Sequence, residues 1–426
     1  KQINYNTKNE FNLIKKKLFF RAFEDGTLKI INLTSEKIKI RKLSFKKDFS
    51  CKINCNIENN FKYILEPSTF DRPSMAVLKL DNKLNDIKFL EVFYTDEKGN
   101  KFSAIEKIEK NDFILTKFDG DYLIDKNNIL FEDGDNLIIK KNKYVINYPI
   151  IVPASKNLII EAGTILNMSK NAYIFVLDGN IQILGDRKNT ISIKAKDNNP
   201  WKGIYVRSNE KSKSDSVIKN THVSNFTYFD NSLVQLTGGI NFYNSNVNIK
   251  DLIVKDAYSE DAINLVNCEY SIANTVVENS MSDAIDIDFS NGTLKASKFK
   301  NIGGDALDFS GSNSNIIKAN IDNVKDKGIS VGEESIVNLN NVKISNSVIG
   351  IASKDSSKVF GENIDVKNCI MHDYASFQKK SFFLGGSMTL VDSTGCNKEL
   401  VQINSFLSLN GKIFKGKDID INKEYY

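Results

Sequence analysis

The sequence predicts an all-β protein: a right-handed parallel β-helix, a solenoid of 22-residue coils, preceded by an N-terminal β-sandwich-like domain. Three observations carry the solenoid. Segments opening at Asp261, Asp283, Asp305, Lys327 and Ile349 recur at an unbroken spacing of 22 residues, a period that marks stacked supersecondary units. Within each segment apolar and polar residues alternate, as Ile285 and Ile287 do against Asp286 and Asp288, the period of a strand with one buried face. No helical pattern fits between the copies, so a βα repeat is excluded and one turn of a parallel β-helix remains. The expected hand follows from the right-handedness of crossovers between parallel strands.

Residues 1–125 lack the 22-residue period. They carry short alternating runs, Leu28 to Leu33, Ile38 to Leu43 and Lys88 to Tyr94, separated by turn signals such as Glu24-Asp25-Gly26 and Asp96-Glu97-Lys98-Gly99-Asn100. Several short strands at such intervals suggest a β-sandwich. From 126 to 426 the chain reads as the β-helix and its C-terminal cap. Ile204 to Ile240 spans 36 residues, an enlarged coil holding His222, Phe226, Tyr228 and Phe229. Insertions of this kind sit on one face of a solenoid. Its aromatic residues serve either to stack on sugar rings or to cover the core.

Down the stack, Ile263, Ile285, Leu307, Ile329 and Ile351 form one inward row, and Leu265, Ile287, Phe309 and Val331 the next. Asn279, Asn301 and Asn323 also recur at 22 and predict an amide ladder within a turn. Met371 lies 22 residues beyond Ile349, and the repeat fades after it. Residues 381–426 still alternate and are expected to make final coils and a cap that blocks edge pairing.

Lys and Arg number 58 against 53 Asp and Glu, a formal charge of +5. The balance is too even to imply nucleic acid. No apolar run is long enough to span a membrane. Five cysteines (51, 55, 268, 369 and 396) show no metal-binding spacing and read mostly as free thiols. The first residue is Lys rather than Met, which suggests a fragment or a chain whose leader was removed.

Chemistry concentrates between Asp261 and Lys354. Asn264, Asp286, Asp308, Ser330 and Ala352 form an outward row, with Asp288 on the same face and Asp261, Asp283 and Asp305 at the preceding turn. Coils stack about 4.8 Å apart, so these carboxylates are close neighbours that raise one another's pKa. Such crowding suits general acid/base chemistry or Ca²⁺. No metal ligand is assigned, and Ca²⁺ is left as a possible cofactor. Alternatively, the turn aspartates bond backbone amides.

The run from Val152 to Ile204 resembles the first coils of the pectate-lyase-like superfamily. Polygalacturonases of that fold carry N-T-D, D-D, G-H-G-[IL]-S-[IV]-G and R-I-K on successive coils. The segments Met281-Ser282-Asp283, Gly304-Asp305, Asp326-Lys327-Gly328-Ile329-Ser330-Val331-Gly332 and Gly350-Ile351-Ala352-Ser353-Lys354 resemble these in order and spacing. The resemblance implies water-activating roles for Asp283 and Asp305 and substrate binding by Lys354. Gly304 stands where the family has its general acid, Lys327 where it has histidine, and Ala352 where it has arginine. A hydrolase would therefore need Asp308 or Asp286 as its acid. The same superfamily includes uronate lyases and C5-epimerases, for which Lys327, Lys354 and Tyr374 are candidates, with His372 beside them. Lys327 is read as a substrate clamp or a charge compensator, since acidic neighbours disfavour it as a base. The expected partner is an extracellular polysaccharide, bound or processed by a secreted or cell-surface protein. A structural or adhesive β-helix without chemistry is the alternative.

Overall fold

The computed structural model describes residues 17–22, 27–32, 34–46, 56–59, 62–67, 74–79, 87–108, 127–154, 156–208, 214–230 and 235–425. Cys51, Cys55 and the turn at residues 24–26 lie outside them. The chain divides into two compact units, residues 1–118 and 119–426.

Among its described residues the first unit holds two antiparallel sheets. Thr27–Asn32 pairs with both Leu18–Ala22 and Ser74–Lys79. Ile38–Lys46 pairs with Asn56–Asn59, Tyr63–Leu65 and Phe89–Thr95, and the last of these with Lys101–Lys107. Phe20, Leu28 and Ile30 from the first sheet share one buried cluster with Ile40, Leu43 and Val92 from the second, which is the logic of a sandwich. The turn at residues 96–100 closes because Asp96 accepts from the Asn100 amide at 2.9 Å and Gly99 takes a φ of 84°.

The second unit is the solenoid. Eleven parallel strands, from Ile150–Val152 to Glu399–Val401, build one sheet with one strand per coil. Ile263, Ile285, Leu307, Ile329 and Ile351 stand in register and none is exposed to solvent. Leu265, Ile287, Phe309 and Val331 form the neighbouring row, also fully buried. Leu294, Ile316, Leu339 and Leu390 supply part of the opposite wall of the same core. Every second side chain is thus removed from water, and each such burial contributes about 1.5–3 kcal/mol.

Corners are set by residues that tolerate a left-handed backbone. Asn279, Asn301 and Asn323 have φ of 60°, 58° and 56°, a region Asn enters more readily than most residues. Their amides bond from coil to coil, Asn301 to Asn279 at 3.0 Å and Asn323 to Asn301 at 2.8 Å. A second ladder runs through serine hydroxyls, which accept from the amides of Cys268, Ser290 and Ser312 at 2.8–3.0 Å.

The spacing changes after the fifth copy. Ile349 pairs with His372, and Ile351 with Tyr374, a step of 23 rather than the 22 expected at Met371. The slip turns Tyr374 into the inward row. Antiparallel strands close both ends, Leu130–Asp133 on Asn136–Ile139 and Lys412–Ile413 on Phe406–Leu409, and cover edges that would otherwise pair with another chain. In the enlarged coil, where Ile204 pairs with Ile240, Phe226 packs inside the solenoid core and Phe229 against Tyr173 and Tyr205, 0% and 1% exposed. No helix among the described residues is long and apolar enough to cross a membrane.

Candidate functional site

One outward row of the eleven-stranded sheet shows how the site is framed. It reads Phe175, Tyr205, Asn241, Asn264, Asp286, Asp308, Ser330, Ala352, Ala375 and Leu400. It is aromatic at one end, polar in the middle and apolar at the other end. The apolar ends must be covered, and the chain covers both. Phe229 packs on Tyr173 and Tyr205, ring centroids 5.2 and 5.8 Å apart. Ile421 of the short helix Ile421–Tyr425 packs with Ile349, Ala352, Ala375, Phe377 and Leu400. The polar middle is left as a trough. The outward row is therefore not the open surface expected from alternation alone: Asn264, Ser330 and Ala352 are buried, while Asp286 and Asp308 are half-buried.

The turn aspartates form a ladder. Asp283 Oδ1 accepts from the Asp305 amide at 2.7 Å, and Asp305 Oδ1 from the Lys327 amide at 2.8 Å. Each therefore commits one oxygen to the next coil. A Cβ at Gly304 would lie 1.9 Å from Asp283 Oδ1, so no aspartate can stand there while that carboxylate holds its place. Lys327 is buried, with Nζ 2.7 Å from Asp326 Oδ2 and 3.4 Å from Asp305 Oδ1. The row of turn aspartates ends at this ion-paired ammonium.

Lys354 reaches back across Gly332, whose added Cβ would meet its Cε at 2.8 Å, and brings Nζ to 3.8 Å from Asp308 Oδ1. Asp286 Oδ2 accepts from Asn264 Nδ2 at 3.0 Å. Ser310 donates to Glu333 Oε2 at 2.9 Å, and Glu333 is ion-paired with Lys380. Asp283, Asp305 and Asp308 each bring a carboxylate oxygen within 4.8 Å of the other two.

This crowding shifts protonation. Burial first, then neighbouring carboxylates, push Asp261, Asp283 and Asp305 up to about 7 and Asp288 up to about 6, with Lys327 pulling partly against the shift at Asp305. Asp286 is held well above the usual carboxylate range, by burial and then by Asp288, Asp261, Asp308 and Asp283. For Lys354, burial acts downward, but Asp308 and Asp305 outweigh it and the ammonium is held above its ordinary value.

Ca²⁺ takes six to eight oxygen ligands. All three clustered carboxylates already engage backbone amides, Asp308 Oδ1 accepting from the Phe309 amide at 3.0 Å, and the Lys327 and Lys354 ammonium groups face the cluster. This donor set fits carboxyls that share protons better than it fits a hard cation.

The remaining sequence candidates fall elsewhere. Tyr374 is not on the face: its ring is fully buried in the core and its hydroxyl donates to the Thr394 carbonyl at 2.6 Å. His372 lies at the edge of the covered end, its ring 5.6 Å from that of Tyr425. Alternation overlooked Asn264 as a partner of Asp286, Gly332 as a passage for Lys354, and Glu333 with Lys380 as a flank. The 22-residue spacing that aligns Asn264 with Asp286 was the available signal for the first. Cys268 and Cys369 are buried and Cys396 is exposed.

Residues 238–397 match the family described as a right handed beta helix region. The chain carries a right-handed β-helix. No curated protein matches it. Among solved structures, it is similar to the catalytic domain of a GH87 alpha-1,3-glucanase in complex with tetrasaccharides. The identity is 10%, the coverage 92% of this chain and 91% of that one, and the TM-score 0.40. An alginate lyase from Paenibacillus sp. str. FPU-7 is also 10% identical, covering 57% and 93%, with a TM-score of 0.30. A family 28 exopolygalacturonase of Yersinia enterocolitica matches at 10% identity, 95% and 100% coverage and a TM-score of 0.29. Likenesses this distant say nothing of the site.

Proposed function

We propose that the trough binds a polysaccharide and hydrolyses its glycosidic bonds. Asp286 gives a proton to the leaving oxygen. Asp308, flanked by Asp283 and Asp305, attacks the anomeric carbon as the leaving oxygen departs, the role that suits carboxyls on coils about 4.8 Å apart, and water then cleaves the glycosyl-enzyme with Asp286 taking back its proton. The observation that supports this is the contrast between two neighbours in register on adjacent coils. Asp286 lies where burial and neighbouring carboxylates hold its carboxyl well above the usual carboxylate range, whereas Asp308 faces the Lys354 ammonium at 3.8 Å. Two carboxyls in such different surroundings can take different roles in one site.

A lyase or epimerase needs a basic side chain to abstract a proton α to a carboxylate. Lys327 and Lys354 are ion-paired with aspartates, Tyr374 is inside the core, and His372 sits against Tyr425. A purely structural face would gain nothing from burying carboxyls that repel one another. A substrate of this class would be met outside the cell or at its surface.

The test is a panel of polygalacturonate, alginate and α-1,3-glucan, read by new reducing ends and by the ultraviolet absorbance of unsaturated uronates. Reducing ends without absorbance are expected. Both signals together would make it a lyase, and neither on any glycan would remove the hydrolase reading.

A further inference from the structure

Beside the trough, residues 378–386 leave the solenoid between the strands His372–Phe377 and Ser387–Val391. The loop is firmly tied down. Asp355 Oδ1 accepts from the amides of Lys379 and Lys380 at 2.7 and 2.8 Å. The Leu384 amide donates to Ser356 Oγ at 2.8 Å, and the Ser356 amide to the Leu384 carbonyl at 2.8 Å. The Gln378 side chain donates to the carbonyls of Lys380, Ser381 and Phe383, and its amide is held by Gln402 Oε1 at 2.7 Å.

A loop held this rigidly still presents apolar groups to water. Phe382 is 78% exposed and Leu384 is 76% exposed, with the Phe383 ring centroid 4.7 Å from that of Phe382. Exposed apolar groups clustered at one place mark a surface that meets something. The same loop touches the trough: Lys380 is ion-paired with Glu333, which accepts from Ser310, the residue in register with Asp288. A rigid aromatic surface joined to a row of carboxyls and hydroxyls suits a ligand with an apolar C–H face and a rim of hydroxyls, which is a pyranose ring.

We propose that this loop is a sugar-stacking platform, with Phe382 taking the apolar face of a glycan residue bound next to the acidic trough. The proposal rests on the trough being a glycan site and adds how the chain is held there. Because the loop is ordered beforehand, little conformational freedom is lost on binding. Phe382 is a positioning residue, outside the acid/base machinery.

The protein has a single tryptophan, Trp201, which is fully buried. A Phe382→Trp variant would therefore carry one solvent-facing indole, readable by iodide quenching. The probes are oligosaccharides of polygalacturonate, alginate and α-1,3-glucan, with binding to the parent followed by calorimetry. The expected result is saturable protection of the Phe382→Trp fluorescence by the glycan that binds, with affinity retained. Phe382→Ala should weaken binding or raise KM by about three- to tenfold while kcat changes little. A glycan that binds the parent, leaves the indole fully quenchable and binds Phe382→Ala equally well would overturn the platform and leave the trough standing. Failure of every probe to bind would overturn the trough as a glycan site and the platform with it. A concentration-dependent dimer of the parent that Phe382→Ala abolishes would assign the patch to a second copy of the chain instead.

Discussion

Replacing Asp286 with Asn is expected to lower hydrolysis by about 10²- to 10⁴-fold, the usual contribution of a positioned general acid, while leaving the fold as stable or more so. The two effects have one cause. The carboxyl is costly to ionise because it is buried among Asp288, Asp261, Asp308 and Asp283. An amide of nearly the same shape keeps an oxygen for Asn264 Nδ2, now 3.0 Å away, and removes the repulsion. What it cannot do is give up a proton. Loss of activity together with an unchanged or raised melting temperature at pH 8 would mark Asp286 as functional. A variant that is less stable and equally active would show the reverse, a residue kept for structure.

The second large effect is structural. Phe309→Ala is expected to cost about 3–5 kcal/mol, read as a fall in the denaturant midpoint of the solenoid transition. Phe309 is fully buried, with Ile287 and Val331 above and below it in register. In a solenoid each coil packs on its two neighbours, so the cavity would loosen three coils at once. A cost under about 1 kcal/mol would mean that the row is not interior.

Much of the solenoid could be read from the sequence because two periods coincide. The period of 2 places Ile285 and Ile287 inside, and the period of 22 stacks them on Leu307 and Phe309. The Asn279 ladder was legible for the same reason. What the sequence did not yield depends on packing between residues far apart in the chain. That Ile421 and Tyr425 would lie over Ala352, Ala375 and Phe377 follows from shape and not from any period. Tyr374 was misplaced because a one-residue slip in the repeat turns every side chain of a strand to its other face. The acidic cluster was visible, but the cation set against one member of it was not. That contact turns on Lys354 crossing Gly332, and an absent side chain leaves little trace in a pattern of charges.

The carboxyl shifts carry a stability consequence whose sign is fixed. An acid whose folded pKa lies above its unfolded value of about 3.9 keeps a proton in the native state that the unfolded chain releases. These aspartates therefore reduce stability progressively as pH rises from the unfolded value to the folded one, about 7 for Asp261, Asp283 and Asp305. Their contribution opposes ordinary acid denaturation, in which carboxylates stabilised as anions fail as pH falls.

The most direct measurement is a carboxyl-carbon NMR titration of aspartate-labelled protein, which needs no substrate. The trough account expects a set of aspartates with midpoints from about 6 to about 7 and Asp286 above the ordinary carboxylate range. In Lys327→Met, the resonance of Asp305 should move to a higher midpoint as the cation that pulls against its shift is lost. If Asp261, Asp283, Asp286, Asp288 and Asp305 all titrate near the ordinary value of about 3.9, and Lys327→Met leaves Asp305 unmoved, the trough holds no poised acid and its reading as an acid/base site is contradicted.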